Sequence, residues 1–450
     1  MLCAPNPSIA ARMARGKSLR TELPRTQQGD WEPPAGRPNP IETLKHSERG
    51  RVARLLPIKH ERMAASPFGF FRGAAPIMAQ DLAALPRTGL LVQLCGDAHI
   101  LNLGAFASAV GTIVFDINDF DETIRGPWEW DMKRLATSFV LAGRESGAAD
   151  RRCREAVMVL MESYRNALQR FAFTPFLDLA RHRVGRELQA GPIGTILNKA
   201  ERSSPLRSVQ KLTAREKAAI HFAHRPPLLR RITGAEAKRV LASLAAYRET
   251  LPSERRLLFD AYRPADVAMK VVGTGSVGTR DYVVLMFGIG DDDPLFLQVK
   301  QEMPSCYAPY LGEPPAAHDG QRVAEGQLLV QMTSDPLLGW TTIDGDHYLV
   351  RQLADHKSSI EPQELSGVGI VEYARVCGEV FAHAHARTGD AASLAGYCGK
   401  VDTLDRAMAR FATAYADTTT ADHAALLAAI RSGRVVAATD ETPPRRRNPT

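Results

Sequence analysis

"LCGDAHILNLGAFASAVGTIVFDINDFDE", residues 94–122, holds five carboxylates, one histidine and two asparagines among glycines and short apolar runs. Like charges held this close repel, and burying them is costly unless a cation sits among them. "LLVQLCGD" reads as a strand entering a loop and "GTIVFDI" as a second strand, so the acids gather at strand ends. In "CGDAHILN", Asp97 and Asn102 are five apart, and Asp116 follows on the next strand. Phosphoryl transfer asks for a carboxylate that takes a proton, with an Asn and a later Asp holding divalent metal. The reaction needs mainly positioning and charge neutralisation from the protein. The same residues also fit a plainer reading, as Asx turns and helix caps.

Outward from this stretch, the texture divides the chain. Residues 1–45 read as a disordered basic tail, and 46–185 as a helical lobe around the acidic loop. Residues 186–260, with breakers such as "SSPL" and "HRPPLL", read as a helical connector. Residues 261–360 turn strand-rich, 361–440 are helical again and expected to pack on the first lobe, and 441–450 read as a second disordered tail. The strand-rich part opens with "VVGTGSVGTRDYVVLMF", which carries Gly273, Gly275 and Gly278 in GxGxxG spacing, and its third strand bears Lys300. Glycines let backbone amides approach phosphate, and a lysine on that strand can reach it. GxGxxG also opens dinucleotide-binding folds, but a helix should then follow the last glycine. Here a strand follows. A glycine-rich hairpin with a surface lysine is the plainer alternative.

"CGDAHILN" resembles the catalytic loop of the kinase superfamily, in particular its aminoglycoside-phosphotransferase-like branch, with Cys95 where that branch carries histidine. "VFDINDFDETIRGPWEWDMKRL" resembles the branch's metal-binding segment. The resemblance implies an α+β, two-lobed kinase-like fold that uses ATP and magnesium. It implies Asp97 as base, Asn102 and Asp116 as metal ligands, and Asp131 as a structural brace. Asp119 rivals Asp116 for the metal, because "DFD" mimics the protein-kinase Asp-Phe-Gly. His99 could orient Asp97 or contact phosphate. Glu325, in the helical "GQRVAEGQLLVQMTSD", would pair with Lys300, with Glu302 as competitor. "HYLVRQLADHK" looks like the strand and hinge that would hold adenine. The catalytic loop precedes the glycine loop, the reverse of kinase order, so the resemblance implies a circular permutation, which chain ends lying close together permit. The chain also resembles a bacterial family catalogued as domain of unknown function 2252. The matching stretches are "SPFGFFRGAAPIMAQDLA", "CGDAHILNLGAFAS", "LFLQVKQEMPS" and "AHARTGD", over roughly residues 45–440.

Composition narrows the remaining classes. No run of 18 apolar residues suggests a membrane span, and no apolar h-region suggests a secretory signal. Six scattered cysteines without a CxxC pair suit free thiols in a cytoplasmic protein. The net charge of +7 is concentrated at the ends: residues 1–62 hold 12 Lys/Arg against 6 Asp/Glu, and Arg445, Arg446 and Arg447 add more. The body between them is slightly acidic, which argues against nucleic acid as a partner. Arg72, alone among apolar residues in "FFRGAAP", should meet a carboxylate or phosphate. His383 and His385 lie about 200° apart on a helix, unsuited to a shared metal. The expected function is therefore transfer of phosphate from ATP to an unidentified small molecule or protein hydroxyl. A catalytically silent kinase-like module is the alternative, and a metal-dependent phosphohydrolase a third.

Overall fold

The computed structural model describes residues 7–438, apart from 109, 183–190, 203–204, 217–218, 272, 313, 354–357, 361–364 and 366–368. It is a mixed α+β protein. The acidic stretch lies on strands Leu91–Leu94 (β1), Leu103–Ala107 (β2), Ile113–Ile117 (β3) and Ile124–Pro127 (β4). β1 pairs antiparallel with β4, and β2 with β3, which sets Gly104 opposite Asp116. The helix Trp128–Glu145 then runs through the centre of the larger core, buried over almost its whole length. Helices Asp150–Phe171, Gly369–Thr388 and Thr403–Arg431 pack around it, so residues far apart in the chain share this core.

The second region is an antiparallel sheet. Thr213–Glu216 (β5) and Ala219–Phe222 (β6) pair with each other. Leu229–Ile232 (β7), Arg263–Lys270 (β8), Asp281–Phe287 (β9), Pro294–Gln301 (β10), Gly339–Ile343 (β11) and Asp346–Gln352 (β12) join in the order β11-β12-β10-β9-β8-β7. Ser358–Ser359 (β13) pairs with β2. Side chains alternate across a strand, and here both faces are covered. Tyr282, Val284 and Met286 of β9 pack with Val240, Leu244 and Tyr247 of the helix Gly234–Thr250. Val283 and Leu285 meet Phe222 and Phe296 on the other face. On β10 the same alternation sends Leu295, Leu297 and Val299 to the helix side. Gln298 and Lys300 are thereby turned the other way, toward the acidic stretch.

Two expectations are corrected. The described part of 1–45 is no disordered tail. The helix Ile9–Glu22 lies on Ala391–Cys398 so closely that a Cβ on Gly16 would stand 1.9 Å from the Ser393 carbonyl. Arg20 Nε donates to Tyr397 O at 3.0 Å, and the Trp31 ring lies 4.9 Å from that of Tyr415. Arg37 donates to Asp81 Oδ1 at 2.8 Å and to Asp422 Oδ2 at 2.7 Å. The partners of this basic segment lie more than 300 residues away or on another helix, so its own window reads only as polar. Residues 186–260 are likewise more than a connector, since they supply β7 and the helix that covers the sheet. The tail 441–450 lies outside the described residues. Among those described, no helix is long and apolar enough to cross a membrane, and the cysteines Cys95, Cys153, Cys306, Cys377 and Cys398 are free.

Candidate functional site

The loop after β1 is held from below. Gly96 has φ +92°, and a Cβ there would fall 2.3 Å from the Glu122 carbonyl, so only glycine lets the loop cross this segment. Asp131, in the first turn of the helix Trp128–Glu145, accepts from the N–H of Cys95 at 2.9 Å and of Gly96 at 3.0 Å. Three residues on, Arg134 donates from Nε to Asp97 Oδ1 at 2.6 Å and from Nη2 to Phe71 O at 2.9 Å. Burial pushes the Asp97 carboxyl up, and the Arg134 charge works against that rise. Its other oxygen, Oδ2, lies 3.8 Å from His99 Nε2. His99 accepts the Leu101 N–H at Nδ1, 3.2 Å away, which leaves the ring proton on Nε2. Burial, then Arg72 and Arg134, hold its pKa well below the usual value, so the ring is neutral. Asn102 Nδ2 donates to Asp97 O at 2.6 Å and closes the loop.

Asp97, His99, Asn102, Asp119, Asp121 and Glu302 line one cleft together with Gly273, Thr274, Gly275 and Ser276. The glycine loop reaches the acidic loop directly: a Cβ on Gly275 would stand 3.8 Å from Asp97 Oδ2. Arg51 Nη1 donates to Gly275 O and Val277 O, each at 2.7 Å, and Arg62 bonds Gly273 O. Gly273 and Gly278 hold positive φ where the loop turns, and Gly278 O accepts from the Val52 N–H at 2.7 Å.

Lys300 stands behind the acids rather than in the cleft wall. Its Nζ donates to both oxygens of Asp121 and lies 3.9 Å from Asp119 Oδ1. Burial would lower the lysine, but Asp121 and Asp119 outweigh it and raise its pKa. For Asp119 burial is likewise outweighed, by Lys300 and Arg351, and its carboxyl is held low. Burial and the Asp119 charge push Asp121 the other way. Two carboxylates sharing one ammonium titrate as a pair, with one ionised and the other resisting ionisation. Asp119 Oδ1 is sealed from solvent and has no hydrogen-bond partner. Glu302 is buried nearby with Oε1 also unpartnered, and burial followed by Asp121 drives its pKa far up.

Two expected residues lie elsewhere. Asp116 does not line the cleft. Its Oδ1 accepts from the Ile117 N–H at 2.8 Å and its Oδ2 from the Met332 N–H at 3.0 Å, so it joins β3 to the end of the helix Asp319–Val330. Glu325 is on the exposed face of that helix, accepting from Gln321 Nε2 at 2.7 Å. The residue that links this helix to the site is Arg322, which donates to Thr123 O at 2.6 Å, Asp121 O at 3.0 Å and Met303 O at 2.8 Å. His383 and His385 point to separate partners, Leu179 O and Tyr164 Oη, each at 2.8 Å.

Sequence reasoning passed over Asp121 as the lysine's partner and Arg134 as the brace of Asp97. Arg134 carried a signal: a charged residue three positions after Asp131 in "WEWDMKRLA", on the same buried helix face. Arg51 and Lys59, which also line the cleft, gave none. Among the described residues no group of three or more His, Cys, Asp or Glu side chains is arranged to hold a metal. What the cleft offers is a free carboxylate oxygen on Asp97, an orphaned oxygen on Asp119, the side chain of Asn102 and a glycine-rich loop above them.

No curated protein and no solved structure matches the chain. A family model does, over residues 51–429, which is most of its length and contains every residue lining the cleft except Ser47. The chain belongs to the family described as uncharacterized protein conserved in bacteria, DUF2252.

Proposed function

We propose that the chain is an ATP- and magnesium-dependent phosphotransferase of kinase-like, circularly permuted architecture, acting on a hydroxyl of a small molecule or protein. One observation carries the reading. Gly273–Ser276 share a cleft with Asp97, Asn102 and Asp119, although roughly 170 residues separate the two segments. The local order of glycine loop, lysine strand, helix and two further strands agrees with it. So does Lys300, which Asp119 and Asp121 hold charged behind the acidic wall of the cleft.

Within this reading Asp97 Oδ2 orients the acceptor hydroxyl and takes its proton, while Arg134 fixes the carboxylate through Oδ1. A carboxyl raised by burial is a better base than a free one. Asp119, with its orphaned oxygen, and Asn102 are the residues that would hold magnesium; Asp116 is not. Two protein ligands suffice for an ion that completes its shell with water and phosphate oxygens. Bound there, the ion neutralises charge on the transferring phosphate.

The purified protein should gain thermal stability from ATP only with magnesium present, and Asp119→Asn should remove the dependence on metal. Asp97→Asn keeps the shape without the basicity. It should leave magnesium–ATP affinity within a few-fold and cut phosphate transfer, or slow ATP hydrolysis, by about 10²–10⁴. Equal stabilisation with and without magnesium would sink the reading. Unimpaired nucleotide binding with no turnover in the wild type would favour the silent module.

A further inference from the structure

The opposite wall of the cleft is cationic, and the phosphotransferase reading leaves it without a task. Arg51, Lys59 and Arg72 reach it from residues 51–72, ahead of the acidic stretch. Lys59 Nζ is satisfied by Glu48 at 3.1 Å. The two arginines are not. Arg72 Nε and Arg51 Nε are both sealed from solvent and lack a hydrogen-bond partner. Arg51 uses Nη1 to hold the glycine loop, and neither arginine forms an ion pair among the described residues. Arg72 was expected to meet a carboxylate or phosphate, and the nearby Asp97 Oδ1 is bonded by Arg134 instead. A guanidinium N–H left unpaired in a buried place is costly, and a bidentate oxyanion is the partner that its fork fits.

Position decides which oxyanion. Arg72 lines the cleft with Asp97 and His99, and the burial of its guanidinium is opposed first by the Asp97 charge, so Arg72 sits beside the base. Whatever presents a hydroxyl to Asp97 passes Arg72. Beyond Ser47, Arg51 and Met303 the cleft continues into a chamber of about 910 Å³ walled by Ile124, Tyr310 and Pro315. That is room for a small molecule of ordinary size.

We propose that the phosphate acceptor is itself an anion: a hydroxyl compound whose carboxylate or phosphate group docks on Arg72 and Arg51, its body in the chamber. The inference rests on the phosphotransferase reading for the identity of the acceptor, but the anion site can be tested without it. Inorganic phosphate is the probe, titrated calorimetrically into the full chain with saturating magnesium–ADP, which fills the α- and β-phosphate positions. Phosphate in the vacant γ position would not depend on Arg72, so the variants tell the two places apart. Wild type should bind phosphate. Arg72→Gln should weaken that binding at least tenfold and leave magnesium–ADP affinity within twofold. Arg72→Lys, which keeps the charge and loses the fork, should weaken it at least threefold, and it is the deciding variant should the glutamine form fail to fold. Phosphate bound equally well by the variants, no phosphate bound by wild type, or an equal loss of magnesium–ADP affinity would each overturn the inference. Arg72-dependent phosphate binding in a protein that binds no nucleotide would uphold the anion site and remove the phosphotransferase reading.

Discussion

Asp97, half-buried, and Asp116, buried, are aspartates of the same stretch, and what each touches separates them. Asp97 keeps one oxygen free beside the glycine loop. Asp116 gives both of its oxygens to backbone N–H groups. Burial pushes the Asp116 carboxyl up to about 6 from 3.8, against the pull of those N–H groups. A pKa raised in the fold means that the folded state binds the extra proton between the two values. Its contribution to stability is complete below about pH 4 and lost as pH rises through 6. Asp116→Asn has no such titration. The stability gap between wild type and variant, read by urea denaturation, should therefore shrink by up to about 3 kcal/mol between pH 4 and 7. A gap that stays constant over that window would show Asp116 to be ionised throughout. The spacing of acids in "VFDINDFDE" could not choose between Asp116 and Asp119. The deciding N–H belongs to Met332, on a segment 216 residues downstream.

At the scale of elements, alternation was the most legible signal. Period two along β9 and β10 is enough to send Val299 into the core and Lys300 out of it, and the texture of "DYVVLMF" and "LFLQVKQE" carried it. The role of the helix Asp319–Val330 was less legible, because its polar residues look alike on a wheel. Glu325 is solvated and Arg322 is tied to three carbonyls, a difference that depends on what lies against the helix. Arg322 thus joins Lys300 and Arg351 in fastening the loop that carries Asp119 and Asp121 to the sheet region. Arg322→Met removes those bonds, each worth about 1.5–3 kcal/mol when the donor is charged, and leaves the carbonyls of Asp121, Thr123 and Met303 short of a partner. We expect a loss of about 3 kcal/mol or more, with faster amide exchange in 119–123 and unchanged exchange in β8 and β9. Equal acceleration in both places would mean that Arg322 supports the whole fold rather than this loop.

Across the whole molecule, residues 7–50 behave as part of the core although the family match begins only at residue 51. Arg37 is the only described partner of Asp422 and joins Tyr415 in satisfying Asp81, and both acids are buried. Removing one member of a buried ion pair costs about 3–5 kcal/mol. A chain begun at Arg51 should therefore melt lower by about 3–5 °C or more, whereas Arg37→Met alone should reproduce much of that loss. A truncated chain that melts with wild type would show the N-terminal packing to be energetically idle.

Lys300 and the acid it neutralises stand 179 positions apart, and a ribosome makes the acid first. At about 5–20 residues per second, some 10–40 s pass between the emergence of Asp121 and that of its lysine. During that interval the nascent chain owns the acidic half of the site without the lysine and sheet that Asp119 and Asp121 are buried against. The helices Gly369–Thr388 and Thr403–Arg431, which complete the larger core, arrive later still. Synthesis therefore withholds the finished site until the helix Thr403–Arg431 has been made. Ribosome-tethered chains stalled before residue 300 should be cleaved by protease around 94–122, and chains extended past residue 431 by a linker long enough to clear the exit tunnel should resist.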